Sequence, residues 1–179
     1  MLPNDKYEEI LKNEIHKIFD MKYNDDFIDD ILLNKFFLKN KKFVDKSKKI
    51  KQLQMKIGNI WQIVIGNYNK FKNLKTGDET GLDVISNDRK IIIELKNRYN
   101  TDNSSSRKTN YNKLASYKKK HLDYDCIYGV INEKKNIKGI DKIIKIDDVY
   151  IHYLSGDKLL TFIFDKEKDD IIKLTQNIL

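Results

Sequence analysis

The chain has 179 residues, 40% apolar and 35% charged, with a formal net charge of +8. That length supports one domain with a buried core, expected over 1–179, and one cysteine, Cys126, excludes an internal disulfide and a paired-cysteine metal site. No apolar run reaches the roughly 18 residues that cross a bilayer, no signal peptide is visible, and His16, His121 and His152 stand at no familiar zinc spacing. A cytoplasmic protein without membrane contact is the expectation.

Ile10, Leu11, Ile15, Ile18 and Phe19 recur at helical spacing and predict an amphipathic helix over 5–20. Phe27, Ile28, Ile31, Leu32 and Phe36 predict a second from Asp25 to about Leu38, capped by Asn24 or Asp25. The lysine-rich stretch 39–49 reads as a loop or exposed surface. It closes a helical N-terminal part, 1–49, whose apolar helices suit dimerisation or DNA contact. Leu53, Ile57, Ile60, Trp61, Val64 and Tyr68 predict a third helix over Ile50–Tyr68, with Gly58 letting it approach a sheet closely.

Residues 76–81 are turn-rich but lack the Gly-Lys-Ser/Thr of a phosphate-cradling loop. Two runs rich in β-branched residues follow, Leu82–Ser86 and Lys90–Lys96, separated by Asn87-Asp88-Arg89, and they predict a β-hairpin. A helix with a basic face is expected over 106–120, then a buried strand over Tyr124–Ile131 and a later strand over Val149–Leu154. Ser155 caps a short helix, Gly156–Phe164, and Asp169-Asp170 open a last one ending near Ile178. Helices interleaved with strands predict an α/β fold, a mixed β-sheet flanked by α-helices.

The hairpin carries the chemistry. Alternation along a strand puts Glu94 and Lys96 on one face and turns Ile93 and Leu95 into a core. Asp83 lies on the partner strand, with Leu82 and Val84 on its opposite face. Two carboxylates that converge beside an ammonium repel one another unless a cation lies between them, and a hard divalent ion takes carboxylate oxygen. A structural Glu-x-Lys pair on a solvated strand face fits the same spacing.

Asp83, ten intervening residues, then Glu94-Leu95-Lys96 resembles the PD-(D/E)xK nuclease signature, with Leu82 standing where the nominal proline falls. The string from Lys96, Lys-Asn-Arg-Tyr-Asn-Thr-Asp-Asn-Ser-Ser-Ser, is similar to the run after the catalytic lysine in type II restriction endonucleases that cut GGNCC- or GGWCC-type sites. The resemblance spans about residues 76–115. It implies a restriction-endonuclease-like core, and Mg²⁺-dependent, sequence-specific hydrolysis of phosphodiester bonds in double-stranded DNA, with Mn²⁺ able to substitute. It further implies a homodimer and a cognate DNA methyltransferase acting on the same site. Asp83, Glu94 and Lys96 are the catalytic candidates. Asp83, Glu94 and, as the resemblance implies, the Leu95 backbone carbonyl are the metal ligands.

Two auxiliary residues stand beside these. Gln62 occurs where related nucleases place a supporting residue on a preceding helix, and it also reads as a solvated helix face. Glu79 can reach a metal or remain a loop carboxylate in water. For DNA contact the candidates are Asn97, Arg98, Asn100, Thr101, Asn103, Ser104, Ser105, Ser106, Arg107 and Lys108. The three arginines, Arg89, Arg98 and Arg107, all fall in or beside the motif of a lysine-dominated chain. Retained arginine suggests a need for a planar fork. Arg98 or Arg107 is expected to read guanine, and Arg89 to serve the turn. A repair or junction-processing nuclease of the same superfamily, and a non-catalytic DNA-binding module, remain as alternatives.

Overall fold

The computed structural model describes residues 5–20, 52–134 and 136–178. Its elements are α1 (Asp5–Asp20), α2 (52–66), β1 (Lys72–Asn73), β2 (Val84–Ser86), β3 (Ile91–Arg98), α3 (Ser104–Lys120) and β4 (Asp125–Asn132). There follow β5 (Asp141–Ile146), β6 (Val149–Ser155), α4 (Gly156–Phe164), a single 3₁₀ turn (Asp165–Glu167) and α5 (Lys168–Ile178). The expected helix from Asp25 to Leu38, its cap and the stretch 39–49 lie outside the described residues. No helix among the described residues is long and apolar enough to cross a membrane.

The strands form one six-stranded sheet in the order β1-β2-β3-β4-β6-β5. The expected hairpin pairs β2 with β3 antiparallel, Val84 against Ile93 and Ser86 against Ile91. β3 and β4 run parallel, which requires a crossover, and α3 supplies it. β4 pairs parallel with β6, and β5 closes the far edge antiparallel to β6. The sheet is therefore mixed and flanked by helices, the α/β architecture of a restriction-endonuclease-like core.

Alternation sorts the side chains into two cores. Ile91, Ile93 and Leu95 of β3 join Ile127 and Ile131 of β4 against Leu11 and Ile15 of α1, Ile60 and Val64 of α2, and Leu159 and Ile163 of α4. Ile92 joins Cys126, Tyr128 and Val130 on the other face, beneath Leu114 of α3. Each fully buried isoleucine or leucine contributes about 1.5–3 kcal/mol over its exposed state. β4 is covered on both faces, as a central parallel strand must be.

Several local expectations change. Leu82 and Val84 do not share a face: Leu82 packs with Ile92 and Leu114 while Val84 lies in the other core, because β2 begins only at Val84 and strand alternation does not extend back to Leu82. The close helix–sheet approach falls at Gly66, where an added Cβ would sit 2.6 Å from the Asn73 backbone nitrogen. At Gly58 the nearest atom would be the Asn97 Cβ at 3.9 Å. Ser155 occupies the α4 N-cap position without a side-chain cap bond, since its Oγ accepts from the Ile140 N–H at 2.9 Å. Arg89 does more than serve a turn. Its Nη1 and Nη2 donate to the Ile163 and Phe162 carbonyls at 3.1 and 2.9 Å, and its guanidinium lies over the Phe71 and Phe162 rings. It thereby ties the hairpin turn to the C-terminal end of α4, where exposed carbonyls favour a cation.

Candidate active site

The hairpin brings its acidic residues together by register. Asp83 directly precedes β2, whose Val84 pairs with Ile93, and the Asp83 N–H donates to the Ile93 carbonyl at 3.1 Å, which seats Asp83 beside the Ile93–Leu95 stretch of β3. The Asp83 carboxylate is held from two sides. Oδ2 accepts from the Leu95 N–H at 2.7 Å, and Oδ1 accepts from Gln62 Nε2 at 2.8 Å. The N–H and C=O of one strand residue point to the same edge, so the Leu95 carbonyl also faces the β2 side. Gln62, expected from sequence as an auxiliary or a bystander, touches Asp83 directly.

Glu94 is 4% exposed. Its Oε1 accepts from Lys96 Nζ at 2.6 Å, in the same-face pairing that alternation predicts. The Lys96 ammonium also lies 3.8 Å from Asp102 Oδ1. Asp102, a residue that sequence reasoning passed over, sits in the turn between β3 and α3. Its other oxygen, Oδ2, accepts from Asn110 Nδ2 and from the Tyr128 hydroxyl, both at 2.8 Å. Its importance rests on contacts with α3 and β4 that no local pattern announces.

Electrostatics follow from this packing. Burial, and then the Glu94 charge, push the Asp83 carboxyl up to about 6, against the opposing pull of the Leu95 N–H, Lys96 and Lys113. For Lys96, burial works against the charged form, but the Glu94 hydrogen bond and the charges of Glu94, Asp102 and Asp83 outweigh it. Its proton is held more firmly than an ordinary lysine's. The site thus holds crowded carboxylates beside a firmly protonated ammonium. Among the described residues no group of three or more His, Cys, Asp or Glu side chains forms a metal-binding cluster. The donor set available for a cation is two carboxylates and a backbone carbonyl, all hard oxygens.

A cleft of about 760 Å³ opens beside the site, between Gln54, Asn59, Trp61 and Gln62 of α2 and the end of β3. Lys96 lines it, as do Asn97, Arg98, Asn100 and Thr101, four of the expected DNA contacts. Arg98 is exposed. Asn97 is partly engaged, since its Oδ1 accepts from Asn132 Nδ2 at 2.9 Å. Asn103 is the N-cap of α3, its Oδ1 accepting from the Ser106 N–H at 2.8 Å. Ser104, Ser105, Ser106 and Lys108 are exposed along the first turns of that helix. Arg107 turns inward and donates to the Tyr99 and Asp102 carbonyls at 3.1 and 3.4 Å. Glu79 is exposed and lines a different cleft, with Lys113 and Lys120.

No curated protein matches the chain. A sequence model of the family described as Eco47II restriction endonuclease matches residues 4–178. Restriction endonucleases are site-specific deoxyribonucleases acting on double-stranded DNA, which suits a basic chain with an acid-acid-lysine site beside an open cleft. With a match that runs over almost its whole length, the chain belongs to the Eco47II restriction endonuclease family.

Proposed function

We propose that this endonuclease is a type II enzyme of the PD-(D/E)xK class that holds Mg²⁺ with Asp83, Glu94 and the Leu95 carbonyl. One observation carries the reading: the Asp83 carboxylate accepts from the Leu95 N–H at 2.7 Å while the adjacent Glu94 accepts from Lys96 at 2.6 Å, so two acids and an ammonium meet at one point of β3. A divalent cation held by both acids would offset their mutual repulsion, and every donor on offer is the hard oxygen such an ion takes. Mn²⁺ meets the same demand. The bound ion supplies Lewis acidity to a phosphate oxygen and lowers the pKa of a bound water.

The protein's own residues do the rest. Gln62 and the Leu95 N–H fix the two Asp83 oxygens in orientation. Lys96, kept protonated by its neighbours, stabilises charge on the scissile phosphate and does not act as a proton acceptor. Ser104, Ser105, Ser106 and Lys108 contact backbone phosphates, and Asn97, Asn100, Thr101 and Asn103 help fix the register of the duplex. Arg98, exposed at the cleft, reads guanine, while Arg107 braces the loop behind it. The site is a palindrome of the GGNCC or GGWCC type, cut by a homodimer whose two-fold axis matches it. A cognate DNA methyltransferase protects the same sequence in the cytoplasm. Glu79 plays no part in this scheme.

Digestion of a plasmid with Mg²⁺, followed by sequencing of the fragment ends, tests the proposal. Discrete fragments whose ends share one short palindrome are expected. Structure-dependent nicking without a common sequence, or a gel shift without cleavage, overturns it.

A further inference from the structure

We propose that Asp102 is a positioning residue for Lys96, the fixed counter-charge that keeps the ammonium in place while Glu94 is engaged elsewhere. This rests on the nuclease reading above, in which Glu94 holds a metal and Lys96 meets the phosphate.

Asp102 is anchored by two layers of the fold. Its Oδ2 accepts from Asn110 of α3 and from the Tyr128 hydroxyl of β4. Tyr128 is 2% exposed, packed edge-on against Tyr111 and stacked on Tyr153, so its hydroxyl direction is set by the core. Tyr128 is also the β4 register partner of Glu94, which seats it beside the catalytic strand. With one oxygen held by two donors, the other is aimed at Lys96, 3.8 Å from Nζ. That separation is an ion pair and exceeds a hydrogen bond. Asp102 therefore attracts the ammonium without occupying one of its three donors.

The need for it follows from charge. Lys96 Nζ donates to Glu94 Oε1 at 2.6 Å. Were Glu94 to share that oxygen with a dication, it would be a poorer partner for the ammonium, which the dication would also repel. Asp102, 3.8 Å from Nζ, would supply the second anion that offsets the repulsion. Tying the β3–α3 turn accounts for the bonds of Asp102 to Asn110 and Arg107. It does not account for burying a carboxylate with its remaining oxygen toward Lys96.

The test uses the full chain and the variants Asp102→Asn, Tyr128→Phe, Glu94→Gln and Lys96→Met. An asparagine at 102 still offers an oxygen to Asn110 and Tyr128 but carries no charge. In Asp102→Asn we expect an unchanged melting temperature, unchanged KM and DNA affinity in Ca²⁺, and a kcat lowered about 10- to 100-fold. Tyr128→Phe keeps the charge and loosens its anchor, so its kcat should fall less, with KM again unchanged. In metal-free protein, the Lys96 ¹⁵Nζ resonance, assigned by its loss in Lys96→Met, should shift in Asp102→Asn. The proposal is overturned if Asp102→Asn keeps wild-type kcat, loses rate only in step with melting temperature or DNA affinity, or leaves the Lys96 resonance unmoved. Inactive Glu94→Gln and Lys96→Met beside a fully active Asp102→Asn would sink the positioning role alone. Fully active Glu94→Gln and Lys96→Met would sink the catalytic reading and this role with it.

Discussion

Gln62 and Asp83 are joined by a 2.8 Å hydrogen bond from Nε2 to Oδ1, although 21 positions separate them in the chain. With the Leu95 N–H holding Oδ2 at 2.7 Å, the Asp83 carboxylate has little freedom to rotate. Helix α2 thus reaches the first acid of the hairpin directly. Gln62→Ala removes that tether and should lower cleavage by about tenfold through weaker metal binding. Its stability cost should be only about 1–2 kcal/mol, because the second bond remains. Steady-state cleavage at several Mg²⁺ concentrations reports the effect, and wild-type Mg²⁺ dependence would show that the bond is incidental.

The raised Asp83 pKa predicts how stability depends on pH. Its folded value, about 6, lies above the ordinary 3.8. Between those values the folded protein binds the extra proton, so metal-free stability contains a component present below pH 4 that is lost as pH rises through 6. At about 1.4 kcal/mol per unit its size is on the order of 2–3 kcal/mol. Asp83→Asn removes the charge, and Gln62 can turn its amide to suit the new side chain. In chelator, this variant should be more stable than wild type at pH 8 by about that amount, with the advantage gone at pH 4. Denaturant unfolding at both pH values decides it, and a less stable variant at pH 8 contradicts the account.

Arg89 should behave as a purely structural residue. Arg89→Ala leaves the Ile163 and Phe162 carbonyls without their donor and should cost about 2–3 kcal/mol. Arg89→Lys should recover little, since an ammonium cannot span two carbonyls as a guanidinium does. Melting curves should shift in both variants while cleavage of folded protein at low temperature stays near wild type.

Arg98 and Arg107 should separate specificity from stability. Arg98→Lys should cost about 1–3 kcal/mol of discrimination at a single base pair with little change in melting temperature. Arg107→Lys should instead loosen the β3–α3 turn and cost about 1–3 kcal/mol of stability, because two backbone carbonyls lose their donor. Cleavage of a set of singly altered sites, read beside melting curves, checks both. Unaltered site preference in Arg98→Lys would move base reading to other residues of the cleft.

The hairpin was legible because its signals are local. β-branched residues cluster on both sides, turn formers divide them, and Glu94 and Lys96 fall two apart. β4 was legible as an unbroken apolar run. β5 was missed because it is an edge strand, with Asp141, Lys142, Ile143 and Lys145 exposed, so no hydrophobic alternation marks it. β1 is too short to signal anything, at two residues. The scarcity of arginine drew attention to Arg89, Arg98 and Arg107. At Arg89 the two Nη atoms, and at Arg107 the single Nη2, serve backbone carbonyls within the protein. Asp102 was invisible because its partners, Asn110 and Tyr128, lie 8 and 26 residues away and only the fold unites them.

We propose that Asp83 and Glu94 jointly hold one divalent ion. Calorimetric titration of Mn²⁺ into wild type, Asp83→Asn and Glu94→Gln, each bound to a cognate duplex, tests it most directly. A saturable site is expected in wild type, with an affinity that falls at least about tenfold in both variants. Equal Mn²⁺ affinity in all three proteins would contradict it.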